Sequence, residues 1–173
     1  EVARAAKDAS KIAADMWDFA ALERNQVQLQ HCRFSLQDIF DYLNLYFDKQ
    51  VSEKGILFES HQIPDDCNYL IGDSFRLGQV LINLIRNSVK FTDQGKIQVE
   101  IEDLSEKDSE DESEDAHLRF KISDTGVPID PEHIASLFDV FSESLSTSDR
   151  RFGSYGLELA ISKHLVKLMG GDI

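Results

Sequence analysis

The stretch from Asp73 to Thr92, DSFRLGQVLINLIRNSVKFT, constrains the fold more than any other part of the chain. Asp73 is a helix cap by type, and Leu77, Val80, Leu81, Leu84 and Ile85 recur at helical intervals, so one face of this segment has to be buried. Asn83, Asn87 and Lys90 fall on one face of the same helix. A buried amide without a partner costs roughly 1–3 kcal/mol, so the fold has to provide something for these side chains to bind. Two readings stay open. The amides are satisfied by neighbouring backbone, or an asparagine oxygen ligates a hard cation such as Mg²⁺ while Lys90 meets phosphate.

The rest of the chain supplies layers for that helix to pack on. Its 173 residues allow one domain with a real core and a short appendage. Val2, Ala5, Ala9, Ile12, Met16 and Phe19 form the seam of a first helix, at the alternating spacing of bundles and coiled coils. Residues 26–33 mix polar and apolar types and read as a connector with room for a short strand. Ser35 and Asp38 open a second helix with Leu36, Ile39, Phe40, Leu43 and Phe47 on its apolar face, and Gly55 ends it. Residues 56–60 read as a strand before the turn signal Pro64-Asp65-Asp66. Ile97, Val99, Ile101 and Leu118, Phe120, Ile122 alternate as two strands covered on one face. A short helix or turn over 132–141, a loop over 142–156 and a final helix with Leu157, Ile161, Leu165 and Leu168 inward complete the order. The expected class is α+β, an α/β sandwich of a mixed sheet covered by three helices.

Charge narrows the partners. Lysine and arginine total 18 against 32 acids, a net charge of −14, so the surface repels nucleic acid and anionic membrane. The run 102–115, EDLSEKDSEDESED, holds nine acids and one lysine and builds no core; it is expected to be an acidic flexible loop, with a docking site for a basic partner as the alternative. No stretch has the ~20 apolar residues that cross a bilayer, and no targeting pattern opens the chain. Cys32 and Cys67 are too few for a disulfide scaffold or a cysteine metal site, which points to a reducing compartment and a cytoplasmic location.

Four boxes follow one another in order. NLIRNSVKFT over 83–92 resembles the N box of the sensor histidine kinases of two-component signalling. DTGVPI from Asp124 resembles their first glycine box, LFDVF over 137–141 their F box, and GSYGLEL over 153–159 their second glycine box. Asp73, Arg76 and Leu77 match the approach to the N box. DFAALERNQVQLQHCRF over 18–34 resembles the end of the second dimerisation helix and its link to the catalytic domain, especially in hybrid-type kinases. The resemblance implies a Bergerat-type ATP-binding fold over 31–173, lacking the family's final strand pair and preceded by part of a second dimerisation helix and connector over 1–30.

The resemblance also implies roles. Asn87 binds Mg²⁺, Asn83 assists it, and Lys90 lies near the phosphates of ATP. Asp124 accepts from the adenine amino group, and Gly126 lets the backbone pass close to the base. Phe138 and Phe141 anchor the hinge of a lid over 142–155, although composition alone equally allows plain core aromatics. Arg150 or Arg151 reaches the phosphates from the lid, Gly153 opens the second glycine box, and Gly156 presents backbone N–H groups to phosphate.

Three positions depart from the family pattern: Pro128 and Glu158 stand where glycine is ordinary, and Gly153-Ser154 replaces a glycine pair. Pro128 fixes φ and removes a donor, and Glu158 adds negative charge, so weakened Mg-ATP binding is expected. The resemblance places the phosphoacceptor histidine on a first dimerisation helix, which is not expected among these residues. His31, His61, His117, His133 and His164 read as surface or structural, so the chain alone is not expected to autophosphorylate.

The expected function is the ATP-binding domain of a sensor histidine kinase. It passes the ATP γ-phosphoryl to a histidine of its own dimerisation domain, in a homodimeric parent that signals to a response-regulator receiver domain; this domain is cytoplasmic, with a membrane anchor elsewhere in the parent as one option. The alternative is a catalytically degenerate kinase-fold module that acts by protein contacts. An ATPase of the chaperone, gyrase or mismatch-repair type is the third reading.

Overall fold

The computed structural model describes residues 2–24, 26–60, 63, 68–105, 116–134, 136–139 and 157–173. In chain order the elements are α1 (Val2–Glu23), β1 (Cys32–Ser35), α2 (Leu36–Lys54), β2 (Ile56–Ser60), β3 (Tyr69–Gly72), α3 (Ser74–Phe91), β4 (Gly95–Asp103), β5 (Leu118–Asp124), α4 (Pro131–Ile134) and α5 (Leu157–Leu168). They fall into two compact units, residues 30–127 and residues 1–29 with 128–173. Strands β2, β4 and β5 form a mixed sheet with flanking helices, α+β as expected, and a helix precedes it in the chain.

In the unit 30–127 the helix starts are set by local chemistry. Ser35 accepts the Asp38 N–H on its hydroxyl and caps α2, and Gly55 closes α2 in the left-handed region at φ +67°, where a side chain would be strained. Asp73 caps α3: its Oδ1 accepts the Arg76 N–H at 2.9 Å, and its Oδ2 accepts the Gln30 N–H at 3.0 Å. Strands β2 and β4 run parallel, with Ile56 opposite Gly95, and β4 and β5 run antiparallel, with Val99 opposite Ile122. Leu36, Phe40, Leu43 and Phe47 of α2, Leu81 and Ile85 of α3, and Ile97 and Val99 of β4 are buried in one cluster, so both helices lie on one face of this sheet. The other face carries charge: Lys121 meets Glu100 at 2.8 Å and Arg119 meets Glu102 at 3.0 Å. The hydrogen bond from Lys121 to Glu100 holds the ammonium above the usual lysine range.

Several sequence expectations are corrected here. Strands β1 and β3, not foreseen as a pair, form an antiparallel two-stranded ribbon with Arg33 opposite Ile71. Strand β4 extends to Asp103, so Glu102 and Asp103 belong to the sheet and not to the acidic loop, because Arg119 and Leu118 pair with them. Residues 106–115 of that run, and the turn signal at 64–66, lie outside the described residues. On α3, Val80, Leu81 and Ile85 are buried as expected, while Leu77 and Leu84 are half-buried.

In the unit of residues 1–29 and 128–173, α1 packs along α5. The Phe19 ring meets His164 edge-on with centroids 5.8 Å apart, and His164 Nε2 lies 3.1 Å from Glu23 Oε1. The expected seam of α1 is exposed at Ala9 and Met16, because these contacts with α5 fall on its last turns. Leu157, Ile161 and Leu165 of α5 are buried, but Leu168 is exposed: the stripe runs out in the last turn, where Gly170 at φ +78° ends the helix. Among the described residues no helix is long and apolar enough to cross a membrane. His31 and His117 are exposed, His133 is half-buried in α4, and His61 lies outside the described residues.

Candidate functional site

The site is built where the C-terminal end of α3 meets the end of β5. Asp124, the last residue of β5, has both carboxylate oxygens engaged. The Ser88 hydroxyl of α3 donates to Oδ2 at 2.8 Å, and the Gly126 N–H donates to Oδ1 at 3.0 Å. A carboxylate offers about four lone-pair directions, so two remain for a further donor such as an exocyclic amine. Asp124 is exposed, and its side chain is therefore both oriented and accessible.

The turn after Asp124 is fastened on two sides. The Thr125 hydroxyl accepts the Lys96 N–H at 3.0 Å, the Thr125 N–H donates to Lys96 O at 3.1 Å, and the Val127 N–H donates to Phe91 O at 3.2 Å at the end of α3. Gly126 sits so close to this end that a Cβ there would lie 2.5 Å from Phe91 O and 2.8 Å from Thr92 Oγ1. Close approach of backbone to backbone is the reason for glycine at 126.

The two amides of α3 are not equivalent. Asn83 is buried and partnered. The Nδ2 atom of Asn87 is buried and has no hydrogen-bond partner among the described residues. The interaction that Asn83 makes is compatible with the reading as a satisfied amide. That reading leaves a donor of Asn87 unaccounted for among the described residues, which makes this amide, one residue before the Ser88 that orients Asp124, the candidate ligand group of α3. An Asn87 oxygen suits a hard divalent cation, which takes oxygen ligands. Lys90 lies over the Phe91 ring, with Nζ 4.9 Å from the centroid.

The remaining expected residues are distributed as follows. Pro128 is exposed; Phe138 is half-buried in the turn after α4; Glu158 is buried in the first turn of α5, where its carbonyl accepts the Ser162 hydroxyl at 2.8 Å. Phe141, Arg150, Arg151, Gly153 and Gly156 lie outside the described residues. Sequence reasoning missed Ser88 and Thr125. Each is a small hydroxyl whose partner is about 30 positions away, and no local spacing announces it.

Comparison with known proteins gives the chain its relatives. The family described as histidine kinase-, DNA gyrase B-, and HSP90-like ATPase matches residues 72–173. The autoinducer 2 sensor kinase/phosphatase LuxQ of Vibrio vulnificus (strain YJ016) is 37% identical over 162 residues, which cover 92% of this chain and 18% of LuxQ. Hybrid signal transduction histidine kinase B of Dictyostelium discoideum is 33% identical over 162 residues, covering 92% of this chain and 8% of that protein. Among solved structures, full-length ShkA in complex with AMPPNP superposes with a TM-score of 0.74 at 25% identity, covering 96% of this chain and 32% of that one. The chain thus spans less than a fifth of the curated relatives named here.

Proposed function

Because the chain belongs to the histidine kinase-, DNA gyrase B-, and HSP90-like ATPase family, as the catalytic domain of a sensor histidine kinase, we propose that its Asp124–Asn87 site binds Mg-ATP for phosphoryl transfer to a histidine. Family membership carries ATP and Mg²⁺ binding in general. The finer proposal concerns which residues of this chain do the work, and how well.

One observation carries it. Ser88 orients the Asp124 carboxylate, and the next residue on α3, Asn87, has a buried amide nitrogen without a partner among the described residues. Asp124 accepts from the adenine amino group, a hydrogen bond that guanine, with a carbonyl at that position, does not offer. Gly126 keeps the path of the base clear. The Asn87 oxygen would hold Mg²⁺, Asn83 would support it through α3, and Lys90 would meet the phosphates. When bound, the metal would supply neutralisation of the phosphate charge. The family pattern assigns the hinge of a lid to Phe138 and Phe141, a phosphate contact from that lid to Arg150 or Arg151, and the second glycine box to Gly153 and Gly156. The γ-phosphoryl passes to the unprotonated nitrogen of a histidine: the bond from phosphorus to the bridging oxygen breaks, a P–N bond forms, ADP leaves, and the ring loses the proton on its other nitrogen to solvent. Residues 1–30 are the end of a dimerisation helix and its connector in this proposal. The histidine lies on the dimerisation domain of a homodimeric parent whose next partner is a receiver domain. ShkA, related at 25% identity, was solved in complex with AMPPNP, an adenine nucleotide.

Affinity in this chain is weakened. Pro128 offers no N–H, and the buried Glu158 places a carboxylate in the first turn of α5, where an acid complements the helix dipole that otherwise attracts phosphate. The same pair favours a second reading, a kinase fold retained for its protein contacts. Calorimetric titration with a non-hydrolysable ATP analogue, with and without Mg²⁺, separates the two. Micromolar, Mg²⁺-dependent binding that Asn87→Ala abolishes supports the kinase reading. A folded parent that binds nothing, with binding restored in Glu158→Gly, supports the second.

A further inference from the structure

We infer that Lys54 is a positioning residue for the nucleotide site: its ammonium holds the C-terminal end of α3, on which the Asp124–Val127 turn rests. The inference rests on the nucleotide-binding reading above.

A helix leaves its last four carbonyls without intrahelical partners, and here each has a donor. Lys54 Nζ lies 2.7 Å from Val89 O, 3.3 Å from Lys90 O and 3.0 Å from Thr92 O. The carbonyl between them, Phe91 O, accepts the Val127 N–H at 3.2 Å, and Ser88 O accepts the Thr92 N–H at 3.0 Å. An ammonium has three protons, and three carbonyls meet them. Asp93 Oδ1 stands 3.7 Å away and balances the charge.

Lys54 comes from another element. It is the last residue of α2, and Gly55 turns the chain immediately after it. Its side chain therefore crosses from the end of α2 to the end of α3 and fixes the two ends to each other. A cation at a helix C-terminus also offsets the negative end of the dipole. What makes this more than a cap is what leans on the same turn. Gly126 packs against Phe91 O and Thr92 Oγ1 with no room for a Cβ, Val127 bonds Phe91 O, and Ser88, one turn back, holds the Asp124 carboxylate. If the α3 end unwinds or shifts, Asp124 loses its orientation and the Lys90 side chain moves with its own carbonyl.

The test uses the whole 173-residue chain carrying Lys54→Met, which keeps most of the stem and removes the donors. Binding of AMPPNP and of the guanine analogue GMPPNP is titrated with Mg²⁺ near the temperature of maximal stability, where circular dichroism matches the parent. The expected result is an adenine-nucleotide affinity about tenfold lower, a smaller preference for adenine over guanine, and recovery to within about threefold in Lys54→Arg. An unchanged affinity and preference beside a lowered melting temperature overturns the inference, since Lys54 is then a stabilising cap alone. If the parent binds no nucleotide, the nucleotide reading falls and amide exchange decides on Lys54. Selective acceleration at Gly126 and Val127 of about tenfold, with Val99 unchanged, supports the positioning role; a uniform change or none overturns it. Lys54→Gln replaces the methionine variant under the same thresholds if that variant does not fold.

Discussion

The Ser88 hydroxyl donates to Asp124 Oδ2 at 2.8 Å across 36 positions of sequence, and the other oxygen of that carboxylate accepts the Gly126 N–H. The two bonds hold the carboxylate in one orientation before any ligand arrives. Ser88→Ala removes one of them and is expected to lower adenine-nucleotide affinity about fivefold, roughly 1 kcal/mol, with the fold intact. Asp124→Asn is expected to cost about a hundredfold, because an amide offers one acceptor oxygen to the donors that the carboxylate serves with two. Titration of both variants with an ATP analogue checks the order. A Ser88 variant that binds like the parent would mean that the hydroxyl does not orient the acid.

Asn87 is expected to separate stability from function. Its Nδ2 is buried without a partner among the described residues, so truncating that nitrogen breaks no hydrogen bond to any of them. Asn87→Ala is therefore expected to stay within about 0.5 kcal/mol of the parent in urea unfolding while losing Mg²⁺-dependent nucleotide binding. A large loss of stability would show that the amide is structural after all.

Gly126→Ala tests the close approach directly. The added Cβ would lie 2.5 Å from Phe91 O and 2.8 Å from Thr92 Oγ1, and the first of these is backbone that cannot rotate away. The expected cost is about 1–3 kcal/mol, accompanied by loss of the Val127 N–H bond to Phe91 O. Protection of the Val127 amide against exchange reads this bond, and protection at the parent level in the alanine variant would refute the contact.

What was legible in the sequence was whatever is encoded locally. The caps Ser35 and Asp73, the stop at Gly55, the stripe through Leu81 and Ile85 and the alternation of Ile97 and Val99 each depend on neighbours a few positions away, and the structure has them. Asn87, Asp124 and Gly126 were legible through a motif. The ribbon of β1 and β3 was not, because Tyr69 and Ile71 face outward and the short strands carry little alternation. Lys54 was invisible for a different reason. A lysine at the end of an amphipathic helix looks like any solvated lysine until the carbonyls of α3, 35 and more positions on, are brought to it.

On the outer face of the sheet, Lys121 is expected to titrate above the ordinary lysine range, first because it donates to Glu100 and second because that carboxylate is negative. With the folded value raised, the contribution of the pair to stability is complete below the unfolded lysine value and is lost as pH rises through the raised one. Both side chains are well exposed, so salt weakens the effect. An NMR titration of the lysine side chain in the parent and in Glu100→Gln reads it directly. The pair is absent in solution if the two curves coincide.

Asp73 holds α3 from its other end, and its two carboxylate oxygens do different things. Oδ1 caps the helix through Arg76 N–H, while Oδ2 accepts from Gln30 N–H and so ties the segment before β1 to the helix that carries Asn83, Asn87 and Lys90. The group is buried, so deletion leaves two backbone donors without acceptors in a place where water has poor access. Asp73→Ala is accordingly expected to cost about 2–3 kcal/mol, above the usual cap value of ~1 kcal/mol, because a cap and a long-range bond are lost together. Asp73→Asn keeps one acceptor oxygen, which serves the helix N–H, and turns an NH₂ group towards the Gln30 N–H. It should retain the cap and fall between the parent and the alanine variant in urea unfolding. An asparagine variant as unstable as alanine would show that the bond to Gln30 matters more than the cap; one as stable as the parent would show that it matters little.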